Sequence, residues 1–139
     1  MKRILWVMAV LIVVGFMGCA KGPPKVLVVF SYSEEFVWCT EELDGLKEAL
    51  GEKEINLETY YMDTKNKTDE EWKLESAENT EKKIKKFKPD VLVLFDDNAC
   101  ELVGMNHVGD KMSIVFAGVN NDPSVYNFPA ENVTGVIER

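Results

Sequence analysis

A chain of 139 residues fits one domain, and a formal net charge of −8 leaves no positive footprint for a nucleic-acid backbone. The one basic cluster, Lys82, Lys83, Lys85, Lys86 and Lys88, falls near the end of a predicted helix, where lysines complement the dipole and solvate the outer face. One histidine and three cysteines at these spacings make no zinc pattern, and His107 has no nucleophile motif beside it, so it reads as a surface or loop histidine.

The chain opens with Lys2 and Arg3, then an apolar run over 4–17 broken only by Gly15, then Gly18-Cys19. A charged start, a short apolar core and a small residue before the cut read as a secretory signal. The core is short for a stable membrane span of about 20 residues. A small residue directly before cysteine turns plain secretion into lipoprotein processing, with the thiol of Cys19 as the lipidated group. The alternative is an uncleaved anchor. Either way the expectation is a cell-envelope protein tethered to the membrane on its extracytoplasmic side. Residues 1–18 are then the signal peptide, 19–24 a lipid-anchored Lys-Gly-Pro-Pro linker, and 25–139 the folded part. Removing the signal takes away Lys2 and Arg3 and no acid, so the rest is more acidic still.

Residues 25–30 predict a first strand, followed by a loop over 31–38 and a helix over 39–50. Leu43, Leu46, Ala49 and Leu50 give that helix an apolar face, and Gly51 ends it. The second strand, 55–62, alternates polar and apolar and belongs at a sheet edge. A second helix starts at the capping box Thr68-Asp69-Glu70-Glu71 and carries Trp72, Ala77, Ile84 and Phe87 at helical spacing. Pro89 ends it. Val91-Leu92-Val93-Leu94-Phe95 is wholly apolar and reads as a strand buried on both faces. A short helix follows over 99–103, then strands over 113–117 and 132–137. Gly135 within the last strand marks a bend or a close backbone approach.

This order predicts an α/β fold, a doubly wound, Rossmann-like parallel sheet in the order 2-1-3-4-5. The loops after the first, third and fourth strands then open onto one crevice. All three are polar: Ser31-Tyr32-Ser33, Asp96-Asp97-Asn98 and Asn120-Asn121-Asp122. Polar groups at the carboxyl ends of buried parallel strands sit where open α/β sheets bind small molecules. The candidate ligand-binding residues are Ser31, Tyr32, Asp96, Asp97, Asn98, Asn120 and Asn121. Ser31 supplies a hydroxyl donor and Tyr32 an aromatic wall. Asp96, directly off its strand, favours ligand contact. Asp97 fits a helix cap as well as a ligand, and Asn120 and Asn121 fit a turn as well as a ligand. Trp38, at a helix start, reads as core before it reads as a stacking surface.

No Gly-rich phosphate loop follows the first strand, so no cofactor is expected. Adjacent carboxylates also suit acid–base work or a hard cation, but no nucleophile or base with an orienting partner can be assembled, and the oxygens lack calcium-loop spacing. No catalytic and no metal residues are assigned. Cys39 and Cys100 fit a disulfide or two buried thiols, the latter favoured.

Several short motifs occur in order: Val26-Leu27-Val28-Val29-Phe30-Ser31-Tyr32 with Phe36-Val37-Trp38; Tyr61-Met62-Asp63-Thr64-Lys65; Pro89-Asp90 with Asp96-Asp97-Asn98-Ala99; Val115-Phe116-Ala117-Gly118-Val119-Asn120; and Asn132-Val133-Thr134-Gly135-Val136-Ile137-Glu138. Together they resemble the ABC-transporter substrate-binding proteins of the type I periplasmic fold. They are closest to the branch that also supplies extracellular sensor domains to histidine kinases and cyclases. The resemblance covers about 25–139. It implies two Rossmann-like lobes clamping a ligand, of which this sequence spans the first. It also implies capture of an amino acid or sugar-like solute for an ABC permease. The alternatives are an extracellular sensing or partner-binding domain acting through a separate signalling protein, or a truncated binding protein without function.

Overall fold

The computed structural model describes residues 22–137. The signal segment and Cys19 lie outside the described residues. The apolar runs become strands because their β-branched and aromatic side chains fit a pleated surface covered on both sides. β1 (Lys25–Phe30) leads to α1 (Val37–Leu50), β2 (Asn56–Tyr61), α2 (Glu70–Phe87) and β3 (Val91–Phe95). α3 (Asp97–Leu102), a 3-10 turn over Gly104–His107, β4 (Ser113–Val119), a second 3-10 turn over Pro123–Tyr126 and β5 (Val133–Ile137) complete the described chain.

The strands form one parallel sheet in the order β2-β1-β3-β4-β5, the doubly wound order expected. Register aligns Phe30 with Tyr61 on one side and with Phe95 on the other, and Phe95 with Ala117. The ends of β2, β1 and β3 are therefore level, β4 runs two residues past them, and the residues after these strands share one edge. Just beneath that edge the rings of Tyr61, Phe30 and Phe95 stack across three strands, with centroids 5.0 Å apart in each pair.

Alternation divides the core into two layers. Leu27, Val29, Leu92, Leu94, Ile114 and Phe116 face α2 and α3, with Ala77, Ile84 and Phe87 packed on them. Val26, Val28, Phe30, Val93 and Phe95 face α1, with Cys39, Leu43 and Leu46 above. Each such fully buried side chain is worth about 1.5–3 kcal/mol. α1 does not reach the far strands. Val115 and Val136, on the α1 side of β4 and β5, stay 36% and 68% exposed, so that end of the sheet carries an uncovered apolar strip.

Helix ends follow local chemistry, with two departures from the expected pattern. Asp69, not Thr68, caps α2: its carboxylate accepts from the Trp72 N–H at 2.8 Å. An aspartate one residue nearer the helix outcompetes the threonine hydroxyl. α3 starts at Asp97, two residues before the expected position, because the chain turns into it straight off β3. Lys88, in the left-handed region at φ 55°, closes α2 ahead of Pro89. In the lysine cluster, Lys83 turns to the sheet and pairs with Glu58 of β2 at 2.9 Å.

Gly135 is a point of close approach. A Cβ there would collide with the carbonyl oxygen and ring of Phe116, and the β4–β5 register shifts just beyond this contact. Cys39 and Cys100 are buried free thiols on opposite sides of the sheet, so they do not bridge. Burial, helped by the charges of Glu42 and Asp96, pushes the Cys39 thiol up to about 12.

Candidate ligand-binding site

The carboxyl edge is assembled by backbone bonds that tie one strand end to the next. The Ser31 N–H donates to Phe95 O at 3.2 Å, and the Asp96 N–H donates to Ala117 O at 3.0 Å. The loop after β2 joins them, with the Thr64 N–H donating to Ser31 O at 2.9 Å. All seven residues singled out in the sequence arrive at this edge, but at different depths.

Ser31 lies below the surface and corrects the expectation of a free hydroxyl donor. It is fully buried; its Oγ donates to Phe95 O at 2.9 Å and accepts from the Ala99 N–H at 2.8 Å. A small hydroxyl at a strand end thus fastens the start of α3 to β1. Asn98 is half-buried, and its amide donates to Thr64 Oγ1 at 2.8 Å. Thr64 in turn donates to Ser31 O at 2.6 Å. These are positioning bonds that hold three loops in register.

The two carboxylates sit in different surroundings. Asp96, the one favoured for ligand contact, is 1% exposed. Its backbone, at φ 70° and ψ 170°, occupies a region that is nearly glycine-only and costs about 1–3 kcal/mol. Its side chain makes no capping bond to α3. Instead it lies near enough to Tyr32 to act on its phenol. Burial first, then the charge and hydrogen bond of Asp96, push the Tyr32 phenol up to about 12. Gly118 makes room for this arrangement: at φ 69°, a Cβ there would lie 2.9 Å from Glu42 Oε1 and 3.8 Å from Asp96 Oδ1.

Asp97 is half-exposed and organises the loop after β4. Its Oδ1 accepts from the Tyr126 hydroxyl at 2.6 Å and from the Asn121 N–H at 3.2 Å. Its Oδ2 accepts from the Asn120 N–H at 3.2 Å and from the Asn120 side-chain amide at 3.0 Å. The Asn121 amide donates to the Tyr126 hydroxyl at 2.9 Å. Burial works against a charge on Asp97, but the Tyr126 hydroxyl, the Asn120 amide and the two backbone N–H groups outweigh it. They hold its pKa below the ordinary 3.8. A depressed carboxylate stabilises the fold above its unfolded-state pKa and loses that contribution as pH falls through the folded value. Asp97→Asn is therefore expected to be less stable than the parent at neutral pH. The two stabilities should converge as pH drops below about 4 in urea unfolding followed by circular dichroism.

The sequence named Tyr32 as the aromatic wall of the edge and passed over Phe36. Phe36 is half-buried, its ring edge-on to Tyr32 with centroids 5.0 Å apart. Trp38, expected in the core, is 53% exposed and tilts against Phe36 at 6.2 Å. Lys65 Nζ sits 3.8 Å from the Phe36 ring centroid and 5.0 Å from that of Tyr32. Aromatic residues in a loop between a buried strand and an amphipathic helix carry no sequence signal that separates core from surface. His107, expected as a surface or loop histidine, ends the 3-10 turn after α3 and is partly covered, held between Glu81 at 3.0 Å and Asp110 at 2.8 Å.

Grooves of about 450 and 540 Å³ run along the β2 side of the domain, lined by Lys25, Glu58, Lys82 and Lys83 and by Leu43, Thr59 and Tyr61. They are open and set between charged side chains, and the second reaches the end of β2 at Tyr61 and the loop after β1 at Glu34. The carboxyl edge sets polar and aromatic groups side by side.

No protein-family model matches this chain, and no curated protein matches it. Among solved structures, an ABC domain from Streptococcus pneumoniae in complex with L-Trp has the same fold, with a TM-score of 0.58 and 18% sequence identity over 84% of this chain. The chain spans 39% of that protein's length. The likeness is one of architecture: the chain shares the parallel α/β fold of that ABC domain.

Proposed function

We propose that this chain is an extracytoplasmic lipoprotein whose α/β lobe captures a small solute for an ABC permease, tethered through lipid on Cys19. It acts by binding, without catalysis. The observation that carries this reading is the convergence of Tyr32, Asp97, Asn98 and Asn120 at one sheet edge beside the Phe36 and Trp38 rings. That combination of oriented polar groups and an apolar surface is what small-molecule sites are built from. The ABC domain in complex with L-Trp supports the same reading through its fold. Lys2, Arg3, the apolar run and Gly18 before Cys19 support the anchor.

The described residues supply one wall, and a ligand held on one wall still loses its translational freedom while gaining half the contacts. Binding is therefore expected in the high-micromolar range, about −5 to −6 kcal/mol. Calorimetry of the full chain against amino acids, sugars and nucleosides tests this. The expected result is heat from one class of solute, reduced by Tyr32→Ala and by Asn120→Ala. Heat from none, or binding indifferent to both changes, contradicts the reading. Mass spectrometry of the membrane fraction should show a diacylglyceryl group on an N-terminal Cys19, and Cys19→Ser should abolish it.

A further inference from the structure

The aromatic corner of the edge already holds a cation. Lys65 Nζ lies 3.8 Å from the centroid of Phe36 and 5.0 Å from that of Tyr32, within the range at which a ring face attracts an ammonium. This is notable in a chain of net charge −8, where carboxylates are plentiful. Among the described residues, no carboxylate pairs with Lys65, and Asp63, two positions earlier, takes the Asn66 amide instead. The lysine is delivered to the rings by its neighbour. Thr64 is pinned to Ser31 O through both its N–H and its hydroxyl. The rings are set by their own contact, edge to face at 80°. Lys65 itself is exposed, so the ring faces become open to solvent when its flexible stem swings away.

We propose that the solute captured at this edge is an organic cation, an alkylated or primary ammonium compound, which replaces the Lys65 ammonium on the faces of Phe36 and Tyr32. Lys65 is a tethered competitor: it occupies the rings in the empty protein and yields them to a ligand that brings further contacts. This inference rests on the solute-binding reading above and names the ligand's chemistry.

The test is calorimetry of the full chain with choline and with its neutral isostere, in which carbon replaces the ammonium nitrogen. Choline should bind with a dissociation constant of about 1 mM or tighter, and the isostere should bind at least about tenfold more weakly. Lys65→Ala should tighten choline binding about fivefold by freeing the rings, whereas a purely structural lysine leaves it unchanged or weaker. Phe36→Leu, which keeps an apolar side chain of similar reach without the ring, should abolish the preference for choline. Equal binding of the two compounds overturns the cation assignment and leaves the edge a solute site. No binding of choline, with heat from neutral amino acids or sugars, does the same. No heat from any compound overturns both this inference and the solute-binding reading. Unchanged or weaker choline binding in Lys65→Ala overturns the competitor role.

Discussion

Gly135→Ala is expected to cost about 3 kcal/mol or more, a large share of the stability of a domain this size. The added carbon would be driven into the carbonyl oxygen and ring of Phe116, which the register places directly across from it. A flexible side chain could move aside, but a ladder carbonyl cannot do so without breaking the pairing of β4 with β5. Relief comes through detachment of β5 from the edge of the sheet. Thermal unfolding followed by circular dichroism should show a midpoint lower by about 10 °C or more. Hydrogen exchange should show the amides that pair β5 with β4 opening first. A midpoint within about 2 °C of the parent contradicts the close approach.

Asp97→Ala is expected to cost about 2–4 kcal/mol and to loosen the loop after β4. The carboxylate is the shared acceptor for the Tyr126 hydroxyl, for the Asn120 N–H and side-chain amide, and for the Asn121 N–H. Hydrogen bonds to a charged group are worth about 1.5–3 kcal/mol each when buried, and the half-exposed position of Asp97 discounts their sum. Tyr126 is 2% exposed, and its hydroxyl would lose the acceptor of its proton. Tyr126→Phe in the Asp97→Ala background should therefore cost less than Tyr126→Phe alone, because the two residues share one bond. The Asn120 and Asn121 amides should exchange faster in Asp97→Ala. Unchanged stability and exchange would show that the loop is held by other means.

Much of this architecture was legible because a few patterns are hard to satisfy otherwise. Val91-Leu92-Val93-Leu94-Phe95 has no polar face, so it had to be a strand between layers, and its neighbours in the sheet followed from the right-handed crossovers. The convergence of residues 31, 96–98 and 120–121 followed from the same topology. Depth within the edge did not. Whether a strand-end side chain points up to solvent or back under the loop depends on one backbone dihedral, and Asp96 at φ 70° takes the unexpected direction. Ser31 was read as a donor to a ligand because sequence cannot show that Phe95 and Ala99 already use its hydroxyl. Trp38 and Phe36 were misread or passed over because α1 begins at Val37 rather than at residue 39, which turns Trp38 outward. His107 found Glu81 only through the packing of its turn against α2, 26 positions away in sequence.

A solute is expected to meet the face formed by the carboxyl ends of β1, β3 and β4. Backbone amide shifts of the isotope-labelled chain, followed through titration with the solute panel and choline, test it most directly. The account predicts that the amides that move are those of Tyr32, Phe36, Asp97, Asn98, Gly118 and Asn120, with those of the β2-side grooves at Asn56, Glu58 and Lys83 unmoved. Shifts confined to the β2-side grooves, or no shift with any compound, would contradict it.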